Sequence, residues 1–307
     1  MIDLDFYTNK LRKKKYVIFL FHGVIEKKFE GIRNYTNKHI LKDDFKNLLI
    51  ELKNKGIPIS LDNVINYHTR KIPLPDYSFS ITFDDGFENN YSIAKPILER
   101  LSIPATFYIS TNLVDKNMMT WIDQIEFCIQ SINNETFHLP WRETPYEVTS
   151  NETKIYLLES IRKNVKKNPV KFVPEEIVKY IFNQSKIELK SSNNHPLDKK
   201  MNWKQARKLH NHELFTIGGH SHNHISLGLL KPNLMEKEIC KSIQYLDDKA
   251  NIQTHHYSYP EGQERDFNNI VMKTLIQNNI KCCPAAINGL NDNYLSSLFD
   301  LKRIMVT

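Results

Sequence analysis

The chain has 307 residues, 40% hydrophobic and 25% charged, with a formal net charge of +7. That is long enough to bury the core of one large α/β domain or two smaller ones, and no apolar run approaches the roughly 20 residues needed to cross a bilayer. The four cysteines, Cys128, Cys240, Cys282 and Cys283, have no C-x-x-C spacing, which argues against a zinc-ribbon or thiol-redox protein. The positive balance reads first as a lysine-rich solvated surface and second as attraction to an anionic partner; no nucleic acid is expected, because no binding motif accompanies the charge.

The first clear element is "YVIFLF" (16–21), which follows the basic stretch Arg12 to Lys15 and stops at His22. It is too short for a secretory signal and lacks a cleavage site, so it reads as a buried strand, and a cytoplasmic protein, or one peripheral at the membrane, is expected. Leu41, Phe45, Leu48, Leu49 and Leu52 follow at helical spacing, with Gly56 as the stop. "IPISL" (57–61) reads as a strand, 62–68 as a helix capped by Asp62, and "FSITF" (79–83) as a strand. Residues 88–101 read as a helix with Pro96 early or at a kink, and "ATFYIS" (105–110) as the next strand.

Residues 112–200 break this rhythm. They are polar and largely helical, with clear helices at 121–129 and 151–165 and a loop at 191–196. We read them as an insertion in a single domain spanning 1–307, serving as a lid or substrate platform. The alternation then resumes: helices at 203–210, 232–249 and 265–278, and strands at 214–220, 255–260, 280–286 and 302–306. Strand and helix alternating at this length imply parallel strands with right-handed crossovers. An open doubly wound sheet and a closed barrel both fit, while the absence of nucleotide-binding glycine motifs argues against a Rossmann or P-loop fold.

Polar clusters collect at the carboxyl ends of these strands, where α/β folds place their chemistry. His22 follows the first strand, and Asp84 and Asp85 follow 79–83 in "TFDDG". His220, His222 and His224 follow 214–219 in "GGHSHNH", and Tyr259 and Pro260 follow 255–258. A helical turn after the strand would put His220 and His224 on one face, whereas an extended chain would align all three histidines. Adjacent carboxylates repel unless a cation holds one of them. Asp85 with His220 and His224 would make a set of two imidazoles and one carboxylate with an open position, which suits a catalytic divalent ion: zinc first, with cobalt, nickel or iron as alternatives. Asp84 would then be the general base for a water. Gly86 would permit the sharp turn, and an Asx-turn or helix cap would explain one aspartate of the pair but not both.

At these residues the sequence resembles the polysaccharide deacetylases with NodB homology, carbohydrate esterase family four. "TFDDG" (82–86) is similar to the first motif of that family and "HSHNH" (220–224) to its second, with "SIPATFYIS" (102–110) and Trp203 agreeing. The resemblance covers roughly 16–110 and 200–306. It implies an irregular (β/α)7 barrel of the NodB deacetylase type with a largely helical insertion, and metal-dependent removal of an N-acetyl group from an amino sugar. It also implies that Ser221 steadies the metal loop, that His222 lies behind it, and that the backbone near Tyr259 and Pro260 offers an oxyanion donor. Two departures stand out. "YSYPEG" (257–262) lacks the family's arginine, leaving open what tunes Asp84. No histidine follows His256, so the late general acid is missing. "FHGV" (21–24) is similar to the early histidine motif of one branch, which makes His22 the candidate acid. Asp123, in "WIDQIE", is a candidate substrate contact. The resemblance implies an N-acetylated sugar or glycan as substrate; separately, the basic charge and the lack of an export signal suit a glycan precursor that is phosphorylated or lipid-linked. A carbohydrate O-acetyl esterase, a catalytically silent glycan-binding barrel and a phosphoesterase are the rival readings.

Overall fold

The two longest apolar runs of the first hundred residues become neighbouring central strands, because a segment apolar on both faces is stable only when covered on both. The computed structural model describes residues 2–307. In chain order the strands are β1 (Lys15–Phe21), β2 (Gly23–Ile25), β3 (His39–Leu41), β4 (Ile57–Pro58), β5 (Ser78–Phe83), β6 (Ala105–Ile109), β7 (Glu135–Phe137), β8 (Tyr146–Val148), β9 (Phe215–Gly219), β10 (Asn291–Asp292) and β11 (Ile304–Met305). The helices are α1 (Leu4–Thr8), α2 (Lys42–Lys55), α3 (Leu61–Thr69), α4 (Lys95–Leu101), α5 (Thr111–Lys116), α6 (Trp121–Gln130), α7 (Asn151–Lys167), α8 (Pro174–Ser185), α9 (Trp203–His210), α10 (Pro232–Ala250) and α11 (Asn269–Gln277).

The main sheet runs β10-β1-β5-β6-β9, with β11 also on β1 and β4 on β5. All its pairings are parallel except that of β10 with β1. Strand period two sorts its side chains. Phe79, Ile81 and Phe83 of β5 join Phe19, Phe21 and Phe107 in the layer beneath α2, α4, α9 and α10. Ser80 and Thr82 point the other way, where Ser80 accepts a hydrogen bond from the Tyr16 hydroxyl (2.7 Å) and Thr82 donates to the Phe19 carbonyl (3.0 Å).

Beyond β9 the sheet gives way to irregular pairing. The expected strands at 255–260 and 280–286 appear only as single parallel bridges, Gly219 to Tyr257 and His256 to Cys282. Ala285 N–H then donates to Leu301 and Arg303 N–H to Ile287, which leads round to β11 on β1. Pro260 and Pro284 have no N–H to give, which prevents regular ladders in these two segments.

Several boundaries differ from the sequence reading. The cap of α3 is Ser60, whose hydroxyl accepts from Asn63 N–H, rather than Asp62. Residues 88–101 form a π-helical turn, Asn90–Ala94, followed by α4 with Pro96 in its first turn, where a missing N–H costs nothing. The 265–278 stretch is a 3-10 turn at Glu264–Asp266 and then α11, capped by the Asn268 side chain. The 112–200 segment carries an antiparallel hairpin, β7–β8, as well as helices. It gathers its own apolar cluster, including Ile125, Phe137, Leu157, Ile161 and Ile181. Ion pairs join it to the rest of the chain: Lys38 Nζ with Asp123 (2.6 Å), and Arg33 with Asp198 and Glu126. Among the described residues, no helix is long and apolar enough to cross a membrane.

Candidate active site

The sheet delivers its polar residues to one rim because β1, β5, β6 and β9 are parallel and end together. Asp84 is anchored there by its N–H, which donates to the Phe21 carbonyl (3.0 Å). The chain then turns through two left-handed residues, Asp85 at φ 72° and Gly86 at φ 71°. A side chain at Gly86 would meet Val114 Cγ2 at 2.9 Å and Ile109 Cγ2 at 3.0 Å, so the turn needs glycine for space as well as for φ.

The histidine loop is neither helical nor extended. Ser221 (φ 55°) and His224 (φ 57°) both take left-handed backbone. Ser221 holds the turn: its hydroxyl accepts from Ile225 N–H (3.1 Å) and its own N–H donates to the Tyr257 hydroxyl (2.9 Å). Glu238 accepts from the N–H groups of His222 and Asn223. The result brings the rings of His220 and His224 to 5.1 Å and turns His222 away, where it bonds Thr111 and packs edge-on against Tyr245.

Asp85 Oδ1 lies 3.1 Å from His224 Nε2 and 3.7 Å from His220 Nε2. The three ligand atoms fall within 4.8 Å of one another. Bonds of about 2.0–2.1 Å at tetrahedral angles would set them roughly 3.3 Å apart. The His220 Nδ1 faces the Ser258 carbonyl (3.0 Å) and hydroxyl (2.6 Å), and donation to that carbonyl would leave Nε2 with its lone pair toward Asp85. Burial pulls His220 down to about 4, so it stays neutral, as a ligand must. Burial alone would raise Asp85, but His224 beside it, with His22 and Lys38, holds it well below the usual carboxylate range. A buried carboxylate flanked by two imidazoles is a fitting donor set for a divalent cation.

Asp84 is held differently. Arg303, from the end of the chain, grips it with two hydrogen bonds of 2.8 Å, while its Nε donates to the Ala285 carbonyl (2.7 Å). Both side chains are buried. Burial pushes Asp84 up, and Arg303 and His220 outweigh it, so the carboxylate stays ionised. The Ser258 hydroxyl is 3.4 Å from Asp84 Oδ1, and His220 Nε2 is 4.0 Å from Oδ2. The sequence reading missed Arg303, although a lone arginine inside "KRIMV", a short apolar strand, was a signal that it had a buried partner.

These groups floor a cavity of about 450 Å³. His22 lines it, and its backbone is fixed by Asn90, whose amide donates to the His22 carbonyl (2.8 Å). Burial lowers His22 from its ordinary value, against the pull of Asp85 and Asp84. Tyr259 also lines the cavity; its hydroxyl is spent on the Phe299 carbonyl, and its N–H has no partner among the described residues. Pro260 is not on the wall, and its carbonyl accepts from Gly262. Asp123 is not there either: it is buried against Lys38 and Thr120 (2.7 Å), and Lys38 is the residue that reaches the cavity. Asp123 therefore positions a lysine instead of touching the cavity's contents.

The family model for polysaccharide deacetylase matches residues 71–282, more than half of the chain. The chain belongs to the polysaccharide deacetylase family. The match spans Asp84, Asp85, His220 and His224 and leaves His22 and Arg303 of this deacetylase outside it. No curated protein matches in sequence. Solved structures share the fold: the Streptococcus pyogenes deacetylase PplD in complex with acetate (16% identity, 96% of this chain and 93% of that one, TM-score 0.58) and IcaB from Ammonifex degensii (14%, 96% and 93%, 0.59). A third is the de-N-acetylase from Aggregatibacter actinomycetemcomitans (15%, 94% and 94%, 0.54). The α/β architecture expected from the sequence, a parallel sheet ringed by helices, is the one these deacetylases share.

Proposed function

We propose that this deacetylase removes an N-acetyl or other small acyl group from an amino sugar of a glycan or glycan precursor, with one divalent cation, zinc by preference, held by Asp85, His220 and His224. We take 1–307 as one catalytic domain and 112–200 as an insertion that walls the cavity. The observation carrying this reading is the buried Asp85–His220–His224 cluster standing beside an Asp84 that is clamped separately by Arg303.

Asp85, His220 and His224 would hold a divalent cation, and the chemistry it would supply there is Lewis acidity toward the acyl carbonyl and a water made acidic near neutral pH. Asp84, fixed in orientation by two guanidinium bonds, accepts the proton from the attacking water at the oxygen that faces His220. The unpaired Tyr259 N–H donates to the developing oxyanion, a contribution of about 3–4 kcal/mol per donor in comparable sites. His22, across the same cavity, gives its proton to the departing nitrogen, without which an amine leaves poorly. Ser258 and the Ser221 turn hold the His220 ring and its loop in place.

One observation favours a second reading. Burial lowers His22 from its ordinary value, and an ester leaving group, unlike an amine, needs no acid. Acetate release from N-acetylated and O-acetylated sugars, with and without a chelator, tests both. Chelator-sensitive release from the amides supports the N-deacetylase reading. Release confined to esters overturns it in favour of the second, and release indifferent to chelator overturns the cation's role in both.

A further inference from the structure

His22 has a cationic neighbour that the mechanism does not yet use. The parallel pair β2–β3 sets Gly23 beside His39, Val24 beside Ile40 and Ile25 beside Leu41. The residues just before it on each chain, His22 and Lys38, are therefore neighbours in register. Both line the catalytic cavity. Gly23 leaves room for the His39 ring: a Cβ at residue 23 would meet His39 Nδ1 at 1.9 Å. The Asn34 side chain braces His39 twice, accepting from its N–H (2.8 Å) and donating to its carbonyl (2.7 Å). The backbone that presents Lys38 is fixed in this way.

The ammonium is fixed as well. Asp123, buried at the start of α6, accepts from Lys38 Nζ (2.6 Å), and its other oxygen accepts from the Thr120 hydroxyl (2.7 Å). The centre of the Phe87 ring lies 4.9 Å from the same nitrogen. An ammonium carries three N–H donors. Among the described residues Asp123 is the one hydrogen-bond acceptor they meet, and the Lys38 side chain keeps 18% of its surface exposed. Two donors thus remain unspent on a group that borders the cavity. Asp123 already balances the charge, so an anion gains little here. A neutral oxygen completes the donor set through a charge-assisted bond.

We infer that Lys38 is a substrate-binding residue that donates to the sugar hydroxyl next to the scissile acylamino group. This rests on the deacetylase reading and names the part of the substrate that the site recognises. With the acyl carbon over Asp84 and Asp85 and the leaving nitrogen at His22, the nearest groups on the Lys38 side are carried by the ring carbons flanking the nitrogen-bearing one. The 3-hydroxyl flanks an acylamino group at C2 and at C4 alike. His22 and Lys38 then engage adjacent substituents of one ring, and an acetamide lacking that hydroxyl loses half of the two-point hold.

The test compares the methyl glycoside of N-acetylglucosamine with its 3-deoxy analogue on the metal-loaded full chain. Lys38→Met alone would strand a buried carboxylate, so the variant used combines Lys38→Met with Asp123→Asn, which removes both charges. Wild type should prefer the hydroxyl compound by about 10- to 100-fold in kcat/KM, as expected for a hydrogen bond from a charged donor. In the double variant the preference should shrink to about threefold or less, chiefly through a higher KM for the hydroxyl compound. No preference in wild type overturns the inference. So does a double variant that slows both compounds by the same factor and keeps the preference, since Lys38 would then only pin the insertion. If neither compound releases acetate from wild type, the deacetylase reading fails instead. Calorimetry with the same two glycosides then decides the inference alone: saturable binding that favours the 3-hydroxyl in wild type and not in the double variant supports it, and equal binding or none overturns it.

Discussion

Replacing Arg303 with methionine would remove the two-point grip on Asp84 while filling much of the same buried space. Arg303 is fully buried, and its guanidinium spends two bonds of 2.8 Å on Asp84 and one of 2.7 Å on the Ala285 carbonyl. Breaking a buried pair by removing one partner costs about 3–5 kcal/mol, because the remaining charge is left uncompensated. Asp84→Asn leaves a group that burial penalises far less. The double variant should therefore be more stable than the sum of the single losses by at least about 2 kcal/mol. Urea unfolding of the four proteins at neutral pH, with unchanged m-values, measures this. The sign of the pH dependence follows from the lowered value of Asp84. The pair contributes fully above the unfolded carboxylate value, about 3.9, and the contribution is lost as pH falls through the lower folded value. The stability gap between wild type and Arg303→Met should shrink at acid pH. Additive single effects, or a gap that grows on acidification, would refute the reasoning.

Three further outcomes are expected. Burial lowers Lys200 to about 8, and its Nζ lies 3.4 Å from the centre of the Phe87 ring. Between roughly pH 8 and 10 the unfolded chain holds the proton that the fold gives up, so stability relative to Lys200→Met should rise with pH by up to about 3 kcal/mol; a falling difference in calorimetric scans would contradict this. Gly86→Ala forces a side chain toward Val114 and Ile109 at φ 71° and should cost about 1–3 kcal/mol in chemical unfolding, whereas a neutral result would mean the turn relaxes freely. His22→Asn should lower kcat for amide substrates by about 10²–10⁴ and spare activated esters; equal loss on both would remove the acid role.

Much of the parallel sheet was legible because its central strands are unbroken apolar runs. "YVIFLF" and "FSITF" could be little other than buried strands, and both became adjacent members of the parallel sheet. The segments at 255–260 and 280–286 also read as strands, but they are more polar and carry Pro260 and Pro284, and they appear as single bridges. The histidine loop was harder. Side-chain spacing anticipated His220 facing His224, but through a helical turn, whereas left-handed residues at Ser221 and His224 do the work. Arg303 was hidden for a different reason: its partner, Asp84, is 219 positions away, and only the pairing of β11 with β1 beside β5 brings the two together. Asp123 was read as a candidate substrate contact on a helix surface, but the packing of α6 buries it against Lys38.

The central claim is that Asp85, His220 and His224 together hold one cation that Asp84 does not. Metal content per chain after dialysis, measured for wild type, Asp84→Asn, Asp85→Asn and His220→Ala, tests it most directly. The account predicts one equivalent of divalent metal in wild type and in Asp84→Asn, with Asp84→Asn unable to release acetate, and loss of the metal from the other two. Full metal retention in Asp85→Asn and His220→Ala would contradict it.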